Sequence, residues 1–457
     1  MSAVTRLLCL LALALALLGP AAPALAQPPA PAPAPAVIAA TPVAGTAVVK
    51  RDAVTSDFPK GLTFSLDATA QQPITRVDLL YRATVEKTLS LSQPPLKPAT
   101  EVSLTQTVDL ETAGVPPGIG LLYHWRIYEA DGGVTETAEK PVEWTDTRFD
   151  WTTLRGNDVT VYAYNNDPAF NQKILDQAEQ IIATLNERFG AKPNRPIRIW
   201  VYNSGDDFSG ALAPNSEPWI AGAAYPWYGL ILAILPDGDM SEVARIIPHE
   251  MSHQALFAAT ENPFGGTPAW LDEGFAVYNQ IGGKTQYPAI VKAALARNLL
   301  PSIRALNGQF PYDTQQALIA YAESLSIVTF ILDRWGQDGV AKLIDAFHQG
   351  TTPDAATKQA LGVDLDQLNS QWRAWVAQQP GSGGGLVGPF GDGDAPIGGA
   401  PPGALAMGAA ALLAIVAGAV AARRSRRGAF DAGSSDVPSG QAPQRRVVDS
   451  AAGSHPA

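Results

Sequence analysis

Apolar and polar residues alternate with period two over much of the segment from residue 43 to residue 150. Such alternation is typical of strands that bury one face and expose the other. The apolar positions fall into four runs: Leu62, Phe64 and Leu66; Val77, Leu79 and Tyr81; Val102, Leu104 and Val108; and Leu121, Tyr123, Trp125 and Ile127.

Turn-forming residues separate these runs, for example Pro116-Pro117-Gly118 and Asp131-Gly132-Gly133. Short strands divided by such turns are typical of all-β domains. Residues 43–150 are therefore predicted to form an antiparallel β-sandwich of immunoglobulin or fibronectin type III shape. A domain of this kind is more often a spacer or a binding module than a catalyst.

The pattern changes to helices with short strands between them over residues 151–379. Asp167-Pro168 and Gly190 carry the signals for the start and the end of a first helix. The segment is predicted to be an α+β catalytic domain, because strands precede most of its helices. Strands are expected at 197–202 and near 228–235, and later helices at 314–335, 338–348 and 364–376.

The first 26 residues have the features of a secretory signal peptide: Arg6, a short apolar run, and the small-residue site Ala24-Leu25-Ala26. An uncleaved anchor is the alternative interpretation. Residues 27–42 are rich in Pro and Ala and are expected to form an extended linker.

Residues 403–422 carry no charge and are long enough to span a bilayer as a helix. Four arginines within residues 423–427 follow, and the positive-inside rule places them in the cytoplasm. We therefore expect a single-pass cell-membrane protein with extracellular N-terminal domains, a Gly/Pro-rich stalk at 380–402 and a cytoplasmic basic, disordered tail at 423–457. A buried core helix is the alternative for the apolar segment.

The formal net charge of -11 argues against nucleic acid as a partner. The single cysteine, Cys9, lies within the predicted signal peptide. A mature protein without Cys has neither disulfides nor thiolate ligands, so any metal site must use His and carboxylates.

The segment His249-Glu250-Met251-Ser252-His253 carries the strongest chemical signal. Two histidines four residues apart lie on the same face of a helix and can reach one ion. Glu250 beside them is a candidate general base. A pair of exposed or core histidines without a metal is the alternative.

A second segment, Trp270-Leu271-Asp272-Glu273-Gly274-Phe275-Ala276, places a carboxylate about twenty residues beyond His253. With these two motifs the sequence resembles the gluzincin metallopeptidases, the peptidase MA-like group that includes thermolysin and the aminopeptidase N family. The resemblance is expected to extend over residues 151–379.

The resemblance implies one zinc ion per chain, with His249, His253 and Glu273 as metal ligands and Glu250 as the general base. It also implies a downstream tyrosine that steadies the oxyanion, for which Tyr321 is the best match; core packing is the alternative for this residue. Asp272 is a candidate hydrogen-bond partner of a ligand histidine, or a solvated carboxylate.

The sequence departs from the family's pattern in two places. Pro248 either kinks the helix by removing a hydrogen bond to Ala244 or begins the helix. Upstream, Gly222 to Trp227 contains no carboxylate where aminopeptidase N relatives carry one for the substrate's free amine. The strand is still expected to align a peptide backbone by β-addition.

These features predict a membrane-anchored zinc peptidase that acts on peptide or protein substrates, with endopeptidase activity favoured over aminopeptidase activity. The alternative from another class is a non-catalytic surface protein that binds its ligand through the β-sandwich. A third possibility is hydrolysis of a non-peptide ester or epoxide.

Overall fold

The computed structural model describes residues 43–214, 216, 221–308, 310–311 and 313–379. Five predicted segments lie outside the described residues: the signal peptide (1–26), the linker (27–42), the stalk (380–402), the membrane helix (403–422) and the tail (423–457).

The first part of the described chain consists of β-strands, as the period-two pattern predicts. Strand β3 is central: β2 and β5 pair with its first half, and β6 and β4 pair with its second half. Strands β7 and β8 then pair with β6, and all of these pairings are antiparallel. The strands are β1 (Val43–Ala44), β2 (Val48–Asp57), β3 (Gly61–Ala83), β4 (Ser90–Ser92), β5 (Ala99–Asp109), β6 (Ile119–Glu129), β7 (Gly133–Glu136) and β8 (Lys140–Trp144).

Strand β3 distinguishes this region from the predicted immunoglobulin or fibronectin type III shape. The apolar runs around Phe64 and Leu79 were expected on separate strands, but both lie on the 23 residues of β3. The two halves still pack face to face, since the Phe64 ring contacts Tyr123 of β6 at a centroid distance of 4.9 Å. The antiparallel β prediction is confirmed, but the two layers belong to one continuous sheet, because β3 passes from the first run to the second through register shifts instead of a turn.

A second sheet of five strands has the order β12, β13, β11, β10, β9. Strands β10, β11 and β13 run parallel, whereas β9 and β12 are antiparallel to their neighbours at the two ends. The strands are β9 (Thr152–Arg155), β10 (Val159–Ala163), β11 (Ile197–Tyr202), β12 (Gly222–Tyr225) and β13 (Leu230–Ile234).

Helices form most of the remaining chain, and their ends follow the capping signals of the sequence. Asp167 caps the first helix, Gly190 ends it in the left-handed conformation, and Asp364 and Gln367 form a capping box at the start of the last helix. The helices are α1 (Pro168–Phe189), α2 (Gly205–Ser209), α3 (Met240–Thr260), α4 (Ala269–Asn279), α5 (Tyr287–Ala296), α6 (Thr314–His348), α7 (Pro353–Leu361) and α8 (Leu365–Gln378).

The second sheet is covered on both faces. Alternate side chains of β11 point in opposite directions: Ile199 and Val201 pack against the helices, whereas Trp200 and Tyr202 join the apolar core of the first sheet. The core of the β region therefore continues into the second sheet. Helix α3 packs against β12 and β13 of this sheet, which holds the helix in place.

Helix α6 is long and apolar enough to cross a membrane by length and composition. However, 67% of its most apolar stretch is buried inside the protein, as in a core helix. Gly336 interrupts it with a φ of 68°, which confirms the expected division between 314–335 and 338–348.

Candidate metal centre

Helix α3 carries His249, Glu250 and His253 through the middle of the domain. Asp239 caps its first turn by accepting hydrogen bonds from the amides of Ser241 and Glu242. Every residue from 246 to 256 is buried. The helix thus presents the two imidazoles from consecutive turns of one face, as their spacing predicts.

Helix α4 brings the Glu273 carboxylate to the two imidazoles. His249 Nε2 lies 3.2 Å from His253 Nε2. Glu273 Oε2 lies 3.5 Å from His249 Nε2 and 3.8 Å from His253 Nε2. Ligand atoms about 2.1 Å from a tetrahedral zinc ion are separated by roughly 3.4 Å, so the three atoms have the spacing of one face of such a tetrahedron.

The hydrogen-bonding state of these groups also fits a cation. Both carboxylate oxygens of Glu273 and Oε2 of Glu250 are buried and have no hydrogen-bond partner within the described part of the chain. Leaving a buried carboxylate unsatisfied is costly. Nitrogen and oxygen donors in this combination are those that catalytic zinc prefers, so the residues present fit a zinc ion.

Each imidazole is oriented through its other ring nitrogen. Asp272 Oδ1 lies 2.9 Å from His253 Nδ1, and Gln280 Oε1 lies 3.0 Å from His249 Nδ1. Because both partners accept at Nδ1, they favour the tautomer that leaves Nε2 free for a metal. Asp272 was a candidate from the sequence. Gln280 was missed, because no spacing rule linked it to His249.

The electrostatics of the two histidines differ. Burial and the neighbouring His253 lower the pKa of His249 to about 4. Burial also disfavours charge on His253, but Asp272 and Glu273 outweigh it and raise the pKa of His253 to about 10. Burial raises the pKa of Glu273 to about 8. Positive charge is therefore favoured at His253, between two carboxyl groups.

Glu250 lies between α3 and the edge strand β12. A Cβ on Gly222 would overlap the Glu250 carboxylate, so glycine leaves the space that this side chain occupies. Burial raises the pKa of Glu250. A carboxylate with a raised pKa is better suited to take up and release a proton near neutral pH.

Tyr321 lies on α6 beside Glu273. Burial, and then the Glu273 carboxylate, raise the pKa of Tyr321 well above its ordinary value, and its hydroxyl makes no hydrogen bond of normal geometry within the described residues. Helix α6 approaches α4 closely at Gly274, where a Cβ would overlap the Ser324 carbonyl. Gly274 thus permits the contact that holds Tyr321 near Glu273.

A second tyrosine, Tyr287 at the start of α5, belongs to the same buried group. It interacts electrostatically with Arg245, Glu273 and Tyr321. Burial raises the pKa of Tyr287 to about 12. No motif points to Tyr287, because a tyrosine near a helix start is usually a packing residue.

A sequence model of the Peptidase MA superfamily matches residues 177–378. We call these residues the Peptidase MA domain because of this similarity. The matched range contains His249, Glu250, His253, Glu273 and Tyr321, so the resemblance predicted from the two motifs is confirmed. No curated protein matches the chain.

Solved structures show more distant likenesses to this chain. OgpA from Akkermansia muciniphila is 11% identical with a TM-score of 0.19, over 22% of this chain and 29% of its own. A two-domain M1 zinc metallopeptidase bound to L-arginine is 14% identical with a TM-score of 0.33, over 71% and 91% of the two chains. Aminopeptidase A from Legionella pneumophila is 12% identical with a TM-score of 0.32, over 72% and 49%.

The chain thus spans less than a third of the length of OgpA. None of the three TM-scores reaches 0.5, so these likenesses do not assign an activity to the Peptidase MA domain.

Among the described residues, two further histidines lie away from the metal centre. His124 Nε2 is 2.9 Å from Glu136 Oε1 within the first sheet. His348 is the last residue of α6.

Proposed function

We propose that the protein is a zinc-dependent peptidase in which His249, His253 and Glu273 hold one zinc ion and Glu250 is the general base. The observation that carries the proposal is the triangle of Nε2, Nε2 and Oε2 atoms, with edges of 3.2, 3.5 and 3.8 Å. The buried, unsatisfied oxygens of Glu273 and Glu250 support it further.

A zinc ion bound there supplies Lewis acidity, which lowers the pKa of water and polarises a carbonyl group. The protein's own groups move the protons. Glu250 Oε2 accepts a proton from the attacking water and later delivers it to the leaving amine. The Tyr321 hydroxyl donates a hydrogen bond to the oxygen that becomes negatively charged in the transition state.

The edge strand β12 is proposed to bind the substrate backbone. Ile234 N donates to Ala221 O, so by antiparallel alternation the main-chain groups of Ala223 and Tyr225 also face β13. The N–H and C=O groups of Gly222 and Ala224 then point outward, where an extended peptide can pair with them.

The same strand favours endopeptidase over aminopeptidase activity. Gly222 to Tyr225 reads Gly-Ala-Ala-Tyr and offers no carboxylate to a substrate's free amine. Substrates are therefore proposed to be peptides or proteins cleaved at internal bonds.

We place this activity outside the cell, on a protein anchored to the membrane by residues 403–422. The apolar length of this segment, the arginines that follow it and the N-terminal signal-like segment support the proposal. Protease accessibility of the Peptidase MA domain on intact cells would test it; protection of that domain would refute it.

Glu250→Gln tests the catalytic proposal. The purified full-length variant is expected to keep about one zinc per chain and to lose peptide hydrolysis by roughly 10²–10⁴-fold. Glu187→Gln, an exposed change on α1, is the matched control and should cleave like the wild type.

Three outcomes separate the parts of the proposal. Wild-type protein without bound zinc would refute the metal site. Zinc binding without cleavage of any member of a quenched-peptide library would favour the non-catalytic surface protein. A Glu250→Gln variant as active as the wild type would refute the base.

A further inference from the structure

Pro248 lies inside α3, directly before His249. Proline has no amide hydrogen, and its ring crowds the carbonyl four residues earlier. The helix nevertheless continues from Met240 to Thr260. Of the two alternatives for Pro248, a helix that begins at this residue is wrong: Pro248 lies inside the helix, and the carbonyl of Ala244 is left without its usual partner there.

The Ala244 carbonyl is bonded outside its own helix. Ile281 N donates to Ala244 O at 3.0 Å. Ile281 follows α4, directly after Gln280, so the bond joins the middle of α3 to the end of α4. An alanine at position 248 would place its own amide hydrogen at this carbonyl.

The bond matters because of the adjacent residue. Gln280 Oε1 lies 3.0 Å from His249 Nδ1, and a glutamine side chain holds this position only if its backbone is fixed. The Gln280 carbonyl also accepts a hydrogen bond from the buried Lys284 ammonium at 2.7 Å. Thus Ala244 and Lys284 both restrain the backbone around Gln280.

We propose that Pro248 is a positioning residue of the metal centre. By freeing the Ala244 carbonyl for Ile281, it holds Gln280 against His249 and so fixes His249 Nε2 towards His253 and Glu273. The inference rests on the proposed zinc site but assigns Pro248 no part in proton transfer.

Pro248→Ala in the full-length protein is the test. The new amide hydrogen competes for Ala244 O, so the Ile281 amide should exchange with deuterium about tenfold faster in the zinc-free protein. Zinc affinity, measured by competition with a chromophoric chelator, should fall by roughly 10–100-fold. Thermal stability of the zinc-free protein should be unchanged or higher, because proline inside a helix is unfavourable.

A second pair of variants separates positioning from general loosening of the fold. Gln280→Leu removes the acceptor and should weaken zinc binding by a similar factor, whereas Gln280→Glu keeps an acceptor and should bind zinc as the wild type does. Adding Pro248→Ala to Gln280→Leu should cause no further loss of affinity, because both changes act through the same contact.

Additive losses, or unchanged zinc affinity in Pro248→Ala, would overturn the proposal. Failure of the wild type to bind zinc would instead refute the proposed function. In that case Ile281 exchange still decides the inference: faster exchange in Pro248→Ala supports the hydrogen bond that Pro248 makes possible, and unchanged exchange refutes it.

Discussion

Buried carboxylates in the β region and in the metal centre differ in their hydrogen-bond partners. In the β region, Glu129 accepts hydrogen bonds from Thr46 and Ala47, and Asp52 accepts from Tyr123 and Trp125. In the metal centre, by contrast, both oxygens of Glu273 lack a hydrogen-bond partner among the described residues.

The difference indicates which region is built for stability and which for binding. A buried carboxylate that is fully hydrogen-bonded stabilises the fold, whereas an unsatisfied one destabilises it. Unsatisfied groups gathered at one point are explained if a ligand satisfies them. The comparison therefore predicts opposite responses to the same chemical change in the two regions.

Glu273→Gln should have the largest functional effect. It removes one of three ligands, so zinc affinity should fall by more than the roughly 10–100-fold typical of an outer partner, and peptide hydrolysis should be lost. Unfolding of the zinc-free protein in urea should change by less than about 1 kcal/mol, or show a small gain, because the cost of burying the Glu273 carboxyl group offsets its attraction to His253 and no hydrogen bond of normal geometry is broken.

Glu129→Gln is the matched change in the β region. The amide nitrogen of the new glutamine would face the hydrogen-bond donors of Thr46 and Ala47 and could not accept from them. The unfolding free energy should therefore fall by about 2–3 kcal/mol, while zinc affinity stays unchanged. If Glu273→Gln destabilised the zinc-free protein as much as Glu129→Gln does, the contrast between the two regions would be wrong.

The proposed ligands could be anticipated from the sequence in two ways. Helical periodicity places His249 and His253 on one face, because they are four residues apart, and the resemblance to the gluzincin peptidases implied Glu273. The capping signals at Asp167 and Gly190 were equally local, and the structure confirms them.

Tertiary contacts limited the remaining predictions. Gln280 contacts His249 only because the end of α4 packs beside the middle of α3. The hydrogen bond between Ile281 N and Ala244 O arises from the same packing. The continuous strand β3 could not be inferred either, because its buried apolar positions change from even-numbered (Leu66, Ile74) to odd-numbered (Val77) at a register shift, and a turn between two strands would give the same change of phase.

Tyr321→Phe should have the next largest effect. If its hydroxyl stabilises the oxyanion, kcat should fall by roughly 10²–10³-fold with little change in KM. Stability should change by less than about 1 kcal/mol, because the hydroxyl makes no hydrogen bond of normal geometry in the described structure. Steady-state kinetics and urea unfolding would measure the two quantities.

Tyr123→Phe is the corresponding change in the β region. The Tyr123 hydroxyl donates to Asp52 Oδ1 at 3.0 Å, so its removal should cost about 1.5–3 kcal/mol of unfolding free energy without changing kcat. An unchanged kcat in Tyr321→Phe would instead assign Tyr321 to core packing, the alternative interpretation of its sequence position.

Glu323 on α6 sharpens the comparison, since it is a fully buried, unsatisfied carboxyl group that is not one of the proposed zinc ligands. Burial raises its pKa from 4.5 to about 8, with Arg373 opposing the shift. As the pH rises through 4.5, the unfolded chain releases this proton, but the folded protein keeps it until about pH 8. The unfolded state then binds fewer protons, so stability falls across this window and levels off above it.

Glu323→Gln should remove this loss. Relative to the wild type, the variant should gain about 1–3 kcal/mol of unfolding free energy between pH 5 and pH 8.5, while its zinc affinity stays unchanged. Because other titrating groups are common to both proteins, the difference between their urea-unfolding curves isolates Glu323. A difference that does not depend on pH would mean that the Glu323 carboxyl group has a hydrogen-bond partner in the folded protein. Unsatisfied carboxyl groups in this domain would then be confined more closely to the metal centre.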